Sequence, residues 1–237
     1  MTSAFLGINE NEFVKDYTVI VQFGAILSVV ALYWRDLLRS LELYKKLFVA
    51  FLPAAVIGFT LKDPIQSLLG SVTVVAWSLL LGGIFLLFID KWLAKKDQRE
   101  QLTSTDRLTF KDSLIIGFIQ CAALVPGVSR SASTIVGGLL RNLNRKTAAE
   151  FSFLLAVPTL GAATAYKLLK IAPHITSADI NVIIIGNIVS FVVGAITIKT
   201  FVKYLSRYGF KIFGYYRIII GSILLILIAL GVELKDL

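Results

Sequence analysis

One arginine and four hydroxyl side chains stand together in the run Pro126-Gly127-Val128-Ser129-Arg130-Ser131-Ala132-Ser133-Thr134. The run lies between two apolar stretches, Ser113 to Val125 and Ile135 to Leu140. A charge in such surroundings is costly and usually marks a working site. Arg130 offers five N–H donors in a planar fork that matches phosphate or carboxylate, and it cannot shed its charge. Ser129, Ser131, Ser133 and Thr134 add hydroxyls. Pro126-Gly127 followed by Ser at the opening of a helix leaves free backbone N–H groups at the positive end of the helix dipole. Together these groups make a phosphate cradle. The competing reading is that Ser and Thr cap a half-helix and let helices approach, with Arg130 paired to Glu150.

Other chemistry-bearing residues are sparse. Glu150 lies three residues into an apolar run beginning at Thr147. It can pair with Arg130, act on a bound metal, or sit at the membrane interface. Gln22-Phe23-Gly24-Ala25 places an amide and small residues inside an apolar run, as a packing notch or as a wall of the cavity. His174 is the single histidine and Cys121 the single cysteine. Cys121 has neither a second thiol for a disulfide nor a nearby histidine for a metal site, so it reads as a small residue in a packed helix. No set of metal ligands is identifiable by spacing.

The elements that must position the cradle are membrane spans. Of the 237 residues, 57% are hydrophobic and 16% charged, and the mean hydropathy is +0.80. That composition belongs to a polytopic membrane protein. The first sixteen residues carry Glu10, Glu12 and Asp16 and have no basic n-region, so no cleavable signal peptide is expected. A net charge of +9 could suggest nucleic acid, but the basic residues lie between apolar runs rather than in one patch.

Six spans are expected, over residues 17–34, 47–61, 67–89, 147–171, 180–201 and 212–230. The second is short, and Lys62-Asp63-Pro64 is read as a tight turn after it. Ser113 to Val125 is too short to cross a core about 30 Å thick, and so is Ser131 to Leu140. Two half-length helices joined at Pro-Gly predict a re-entrant hairpin over 112–141, whose tip lines a cavity. Basic loops at 35–46, 91–111, 141–146 and 203–217 hold most of the 24 Lys and Arg residues and are placed in the cytoplasm. The N-terminus, Lys62, the His174 loop and the C-terminus are then external. The two triplets of spans run in opposite senses, as in an inverted repeat. This gives one integral-membrane domain, with a first repeat over 1–90, a cytoplasmic loop over 91–111 and a second repeat over 112–237.

At these residues the chain resembles a known family. Phe118 to Thr134, with Pro126-Gly127-Val128-Ser129-Arg130-Ser131-Ala132-Ser133-Thr134 at its end, looks like the PGxSRSxxT motif of the bacterial undecaprenyl-diphosphate phosphatase, or bacitracin-resistance, family. Ala148 to Pro158 and Val21 to Leu27 are similar to two further segments of that family, in the same order. The resemblance implies a diphosphatase of the bacterial cell membrane that hydrolyses undecaprenyl diphosphate to the monophosphate carrier used in cell-wall synthesis. By that similarity Arg130 and Ser129 belong to the catalytic site, and Gly127, Ser131, Ser133, Thr134, Gln22 and Glu150 bind substrate. A divalent cation, Mg²⁺ or Ca²⁺, is implied, and the partners expected are the polyprenyl diphosphate, the bilayer and a second copy in a homodimer. Members also carry, ahead of the first span, an ExxxE-type acidic segment with a serine turn and a histidine. Met1 to Asp16 lacks that pattern, so the expectation is a truncated or degenerate member bearing one wall of a two-walled site. A transporter or flippase for a polyprenyl phosphate, or a non-catalytic relative, is the alternative.

Overall fold

A computed structural model describes residues 12–69, 71–94, 101–171 and 177–232. His174, Glu10, Lys95, Lys96, Arg99 and Lys235 lie outside the described residues, as does most of the acidic N-terminal stretch. Most of the described residues are helical: α1 (Glu12–Ile20), α2 (Gln22–Arg39), α3 (Leu41–Thr60), α4 (Lys62–Leu69), α5 (Val72–Ala94), α6 (Phe110–Gln120), α7 (Arg130–Leu140), α8 (Arg145–Ile171), α9 (Ser177–Tyr208) and α10 (Lys211–Ala229). Among the described residues six segments are long and apolar enough to cross a membrane. They are α1 with α2, then α3, α5, α8, α9 and α10, so the chain is an all-α polytopic membrane protein.

Several boundaries differ from expectation for physical reasons. Lys62-Asp63-Pro64 is not a turn but the opening of α4, where proline is tolerated because first-turn N–H groups have no helical acceptor. Ser67 therefore belongs to α4, and the third span starts at Val72. The second span is not short: α3 has 20 residues, because Leu41 to Lys46 is helix rather than loop. Lys46 is 1% exposed. Its ammonium pairs with Glu42 at 2.8 Å and donates to the Asp106 carbonyl oxygen at 2.8 Å.

The chain divides into two compact units. One gathers residues 1–41 and 153–201. There the helix breaks at Val21, and the Gly24 N–H donates to Asn187 Oδ1 of α9 at 2.7 Å. Gly24 is thus a packing notch: a Cβ there would strike the Asn187 backbone. Phe153 and Phe201 meet edge to face at 5.7 Å in the same unit.

The other unit holds residues 42–152 and 202–235, and contains the cradle. Its main helix pair is α5 with α10. Gly83 and Gly221 let these backbones touch, since a Cβ on either would come within 2.7 Å of the partner helix. Asp90 closes the pair at its basic end, accepting the Phe210 N–H at 2.9 Å and Arg145 Nη2 at 2.7 Å.

A helical hairpin, α6 and α7 in contact with each other, meets α5 at its turn and α3 through Gly117, where a Cβ would strike the Ala50 backbone. Each of its helices has 11 residues, or about 16 Å, roughly half a bilayer core. The hairpin is consistent with a re-entrant element. Its open end is tied by Arg141 Nε donating to Asp112 Oδ1 at 2.6 Å. Asp112 also completes a capping box, accepting from the Thr109 N–H and hydroxyl at 3.0 and 2.7 Å. Asn142 takes a left-handed backbone at φ 66°, Leu102 pairs with the segment 142–144, and Asn144 Oδ1 caps α8 through the Thr147 N–H.

Burial pushes the Asp112 carboxyl up, but the bonds from Thr109 and the charge and hydrogen bond of Arg141 together hold it below the ordinary carboxylate value. A group whose pKa falls on folding stabilises the fold above its unfolded value, and that contribution is lost as pH falls through the folded value. Asp112→Asn should therefore lower stability at pH 7 by about 1–3 kcal/mol. It should also remove part of the acid-side loss of melting temperature below about pH 4. Thermal melting from pH 7 to 3 checks both.

Candidate phosphate site at the hairpin tip

The tip is built from the turn outward. After α6 a 3-10 turn, Cys121–Leu124, carries the chain to Val125. Pro126 and Gly127 then reverse it, and the Val128 N–H donates to the Val125 carbonyl oxygen at 3.1 Å. Gly127 has φ +87°, the left-handed region a β-turn of this kind demands at its third residue. A Cβ there would also stand 2.8 Å from the Val75 carbonyl oxygen of α5. Ser129 caps α7, its Oγ accepting the Ala132 N–H at 3.3 Å. The N–H of Arg130 and of Ser131 opens the helix with no acceptor from the helix itself.

The hydroxyls divide by role. Ser129 uses a lone pair in the cap and keeps its O–H free to donate. Ser133 Oγ donates to the Ser129 carbonyl oxygen at 3.1 Å. Thr134 is fully buried and within 3.0 Å of the Arg130 carbonyl oxygen and 2.6 Å of Ser152 Oγ on α8. It fastens α7 to α8 from behind. Ser131 is half-buried at the opening turn.

Arg130 is half-buried and makes one hydrogen bond among the described residues, Nη1 to the Ser152 carbonyl oxygen at 3.4 Å. Most of its fork is uncommitted. Glu150 is ion-paired with Lys146 one turn earlier at 3.9 Å. Gln22 opens α2 in the other unit and is exposed. The structure thus gathers Gly127, Ser129, Arg130 and Ser131 at one turn, with Ser133 and Thr134 beneath it.

Arg217, expected in the basic loop 203–217, is buried in α10 and 9% exposed. Its Nη2 donates to the Gly127 carbonyl oxygen at 2.8 Å and to that of Ser78 at 3.1 Å. Its signal was available, because Ile218-Ile219-Ile220 follows it and the cost argument that singled out Arg130 applies equally. Gln120 of α6 is 2% exposed, and neither polar atom of its amide has a partner among the described residues.

Free N–H groups, a free guanidinium and a free hydroxyl are an anion's ligands. A divalent cation asks for several oxygen ligands, usually carboxylate. Among the described residues no three of His, Cys, Asp and Glu come together.

Six candidate spans among the described residues, with a half-length helical hairpin between the third and the fourth in sequence, define the class: a polytopic helical membrane protein. The sequence matches the bacitracin resistance protein BacA family over residues 1–223, and the chain belongs to that family. It is 52% identical over 235 residues to an undecaprenyl-diphosphatase of Bdellovibrio bacteriovorus, covering 99% of this chain and 89% of that protein. Those of Flavobacterium johnsoniae and Aquifex aeolicus are 46% and 45% identical, over 96% and 94% of this chain and 86% of each relative.

Proposed function

We propose that this protein is an undecaprenyl-diphosphatase of the bacterial plasma membrane, releasing phosphate from undecaprenyl diphosphate and leaving the monophosphate carrier. The observation that carries the reading is the free fork of Arg130 at the mouth of a helix, in a chain similar along nearly its whole length to proteins of that name. In the reaction, a water oxygen bonds to the terminal phosphorus and the bond from that phosphorus to the bridging oxygen breaks. The bridging oxygen leaves on undecaprenyl phosphate; of the water's two protons, one stays on the released phosphate and the other passes to solvent.

Phosphoryl transfer depends mostly on positioning and charge stabilisation. Arg130 grips two phosphoryl oxygens and meets the negative charge that grows as the bond breaks. The Arg130 and Ser131 N–H groups, with the Ser129 hydroxyl, hold the remaining oxygens in place. The test is purified protein in nanodiscs with undecaprenyl diphosphate. One inorganic phosphate should appear per undecaprenyl phosphate formed, and absence of release would overturn the reading.

A further inference from the structure

The cradle's shape depends on the direction of one peptide plane, that between Gly127 and Val128. Its N–H is spent on the Val125 carbonyl oxygen, and its carbonyl points into the α5–α10 pair, where Arg217 Nη2 meets it at 2.8 Å. The same nitrogen bonds the Ser78 carbonyl oxygen, so one guanidinium links the turn to the helix that the turn lies against. Gly82 makes this possible, since a Cβ there would stand 2.5 Å from Nη2. Arg217 forms no ion pair among the described residues, and its Nε has no partner. A buried cation at membrane depth that answers only two carbonyls is an expensive way to join helices.

We propose that Arg217 is a positioning residue of the phosphate site. It holds the Gly127 carbonyl so that the Ser129 hydroxyl, the next two N–H groups and Arg130 keep one geometry. The inference rests on the reading of the tip as the phosphate site. It goes further in assigning a second arginine, 87 residues later in the chain, to the same turn.

The experiment uses the full chain with Arg217→Met and Arg217→Lys, scored by phosphate release from undecaprenyl diphosphate and by thermal melting. Because a displaced site loses transition-state contacts, kcat should fall about 100-fold in Arg217→Met while KM changes little. Arg217→Lys should fall about 10-fold, since an ammonium cannot reproduce the fork. Wild-type kcat in Arg217→Met overturns the proposal, as does a loss confined to melting temperature. If Arg217→Met does not fold, wild-type kcat in Arg217→Lys overturns it instead. Should the wild type release no phosphate, the substrate reading fails and inorganic pyrophosphate becomes the probe. It should raise the melting temperature of wild type and not of Arg217→Met. Equal protection, or none in wild type, then overturns the positioning role.

Discussion

Arg130→Ala should abolish phosphate release from undecaprenyl diphosphate, lowering kcat/KM by at least about 10³-fold, within the range attributed to an arginine that stabilises the transition state of phosphoryl transfer. The loss should come without unfolding. Arg130 makes one long hydrogen bond, 3.4 Å to the Ser152 carbonyl oxygen, and no ion pair among the described residues, so little of the fold hangs on it. Removing a half-buried charge also relieves a desolvation cost. Melting should therefore hold or rise as activity disappears. Arg130→Lys should recover only a small part, because a point charge cannot bridge two phosphoryl oxygens as a fork does. Activity within tenfold of wild type in Arg130→Ala would remove Arg130 from the site.

Gly127→Ala should have the opposite signature, losing stability and activity together. The position needs φ +87°, where alanine is strained by about 1–3 kcal/mol. Its methyl would meet the Val75 carbonyl oxygen at 2.8 Å and Ser78 Cβ at 2.9 Å. Two of the three nearest atoms belong to the α5 backbone, which cannot move aside as the end of a flexible side chain can. We expect a melting temperature lower by several degrees and phosphate release reduced about 100-fold or more, because the displaced turn carries Ser129 and Arg130 with it. A Gly127→Ala protein that melts and turns over like wild type would show that the turn tolerates a different path.

What the sequence made legible was whatever repeats or interrupts a strong signal. Six apolar runs gave six spans, and the thirteen-residue approach to Pro126 announced a helix too short to cross. The tip residues Gly127, Ser129, Arg130 and Ser131 were found because polarity stands out against an apolar background. Boundaries were lost where burial overrides local character. Lys46 reads as loop, yet its stem is packed and its ammonium is satisfied by Glu42 and a carbonyl. Pro64 reads as a breaker, yet it sits where a helix tolerates proline. Nor does the string distinguish the hydroxyls: Ser129 and Thr134 look alike in a motif, and only packing shows one facing out and the other bonded to Ser152. Arg217 was misplaced because positive charges near span ends are the rule, so a buried one hides among them.

The hairpin is held at both of its ends. At the base, Arg141 grips Asp112, and Leu102 with Asn144 anchors the exit. At the tip, Arg217 and the close-packed α5 fix the turn. A strut tied at both ends resists displacement more than one tied at its root alone. Loosening either tie should therefore displace the turn that carries Ser129 and Arg130.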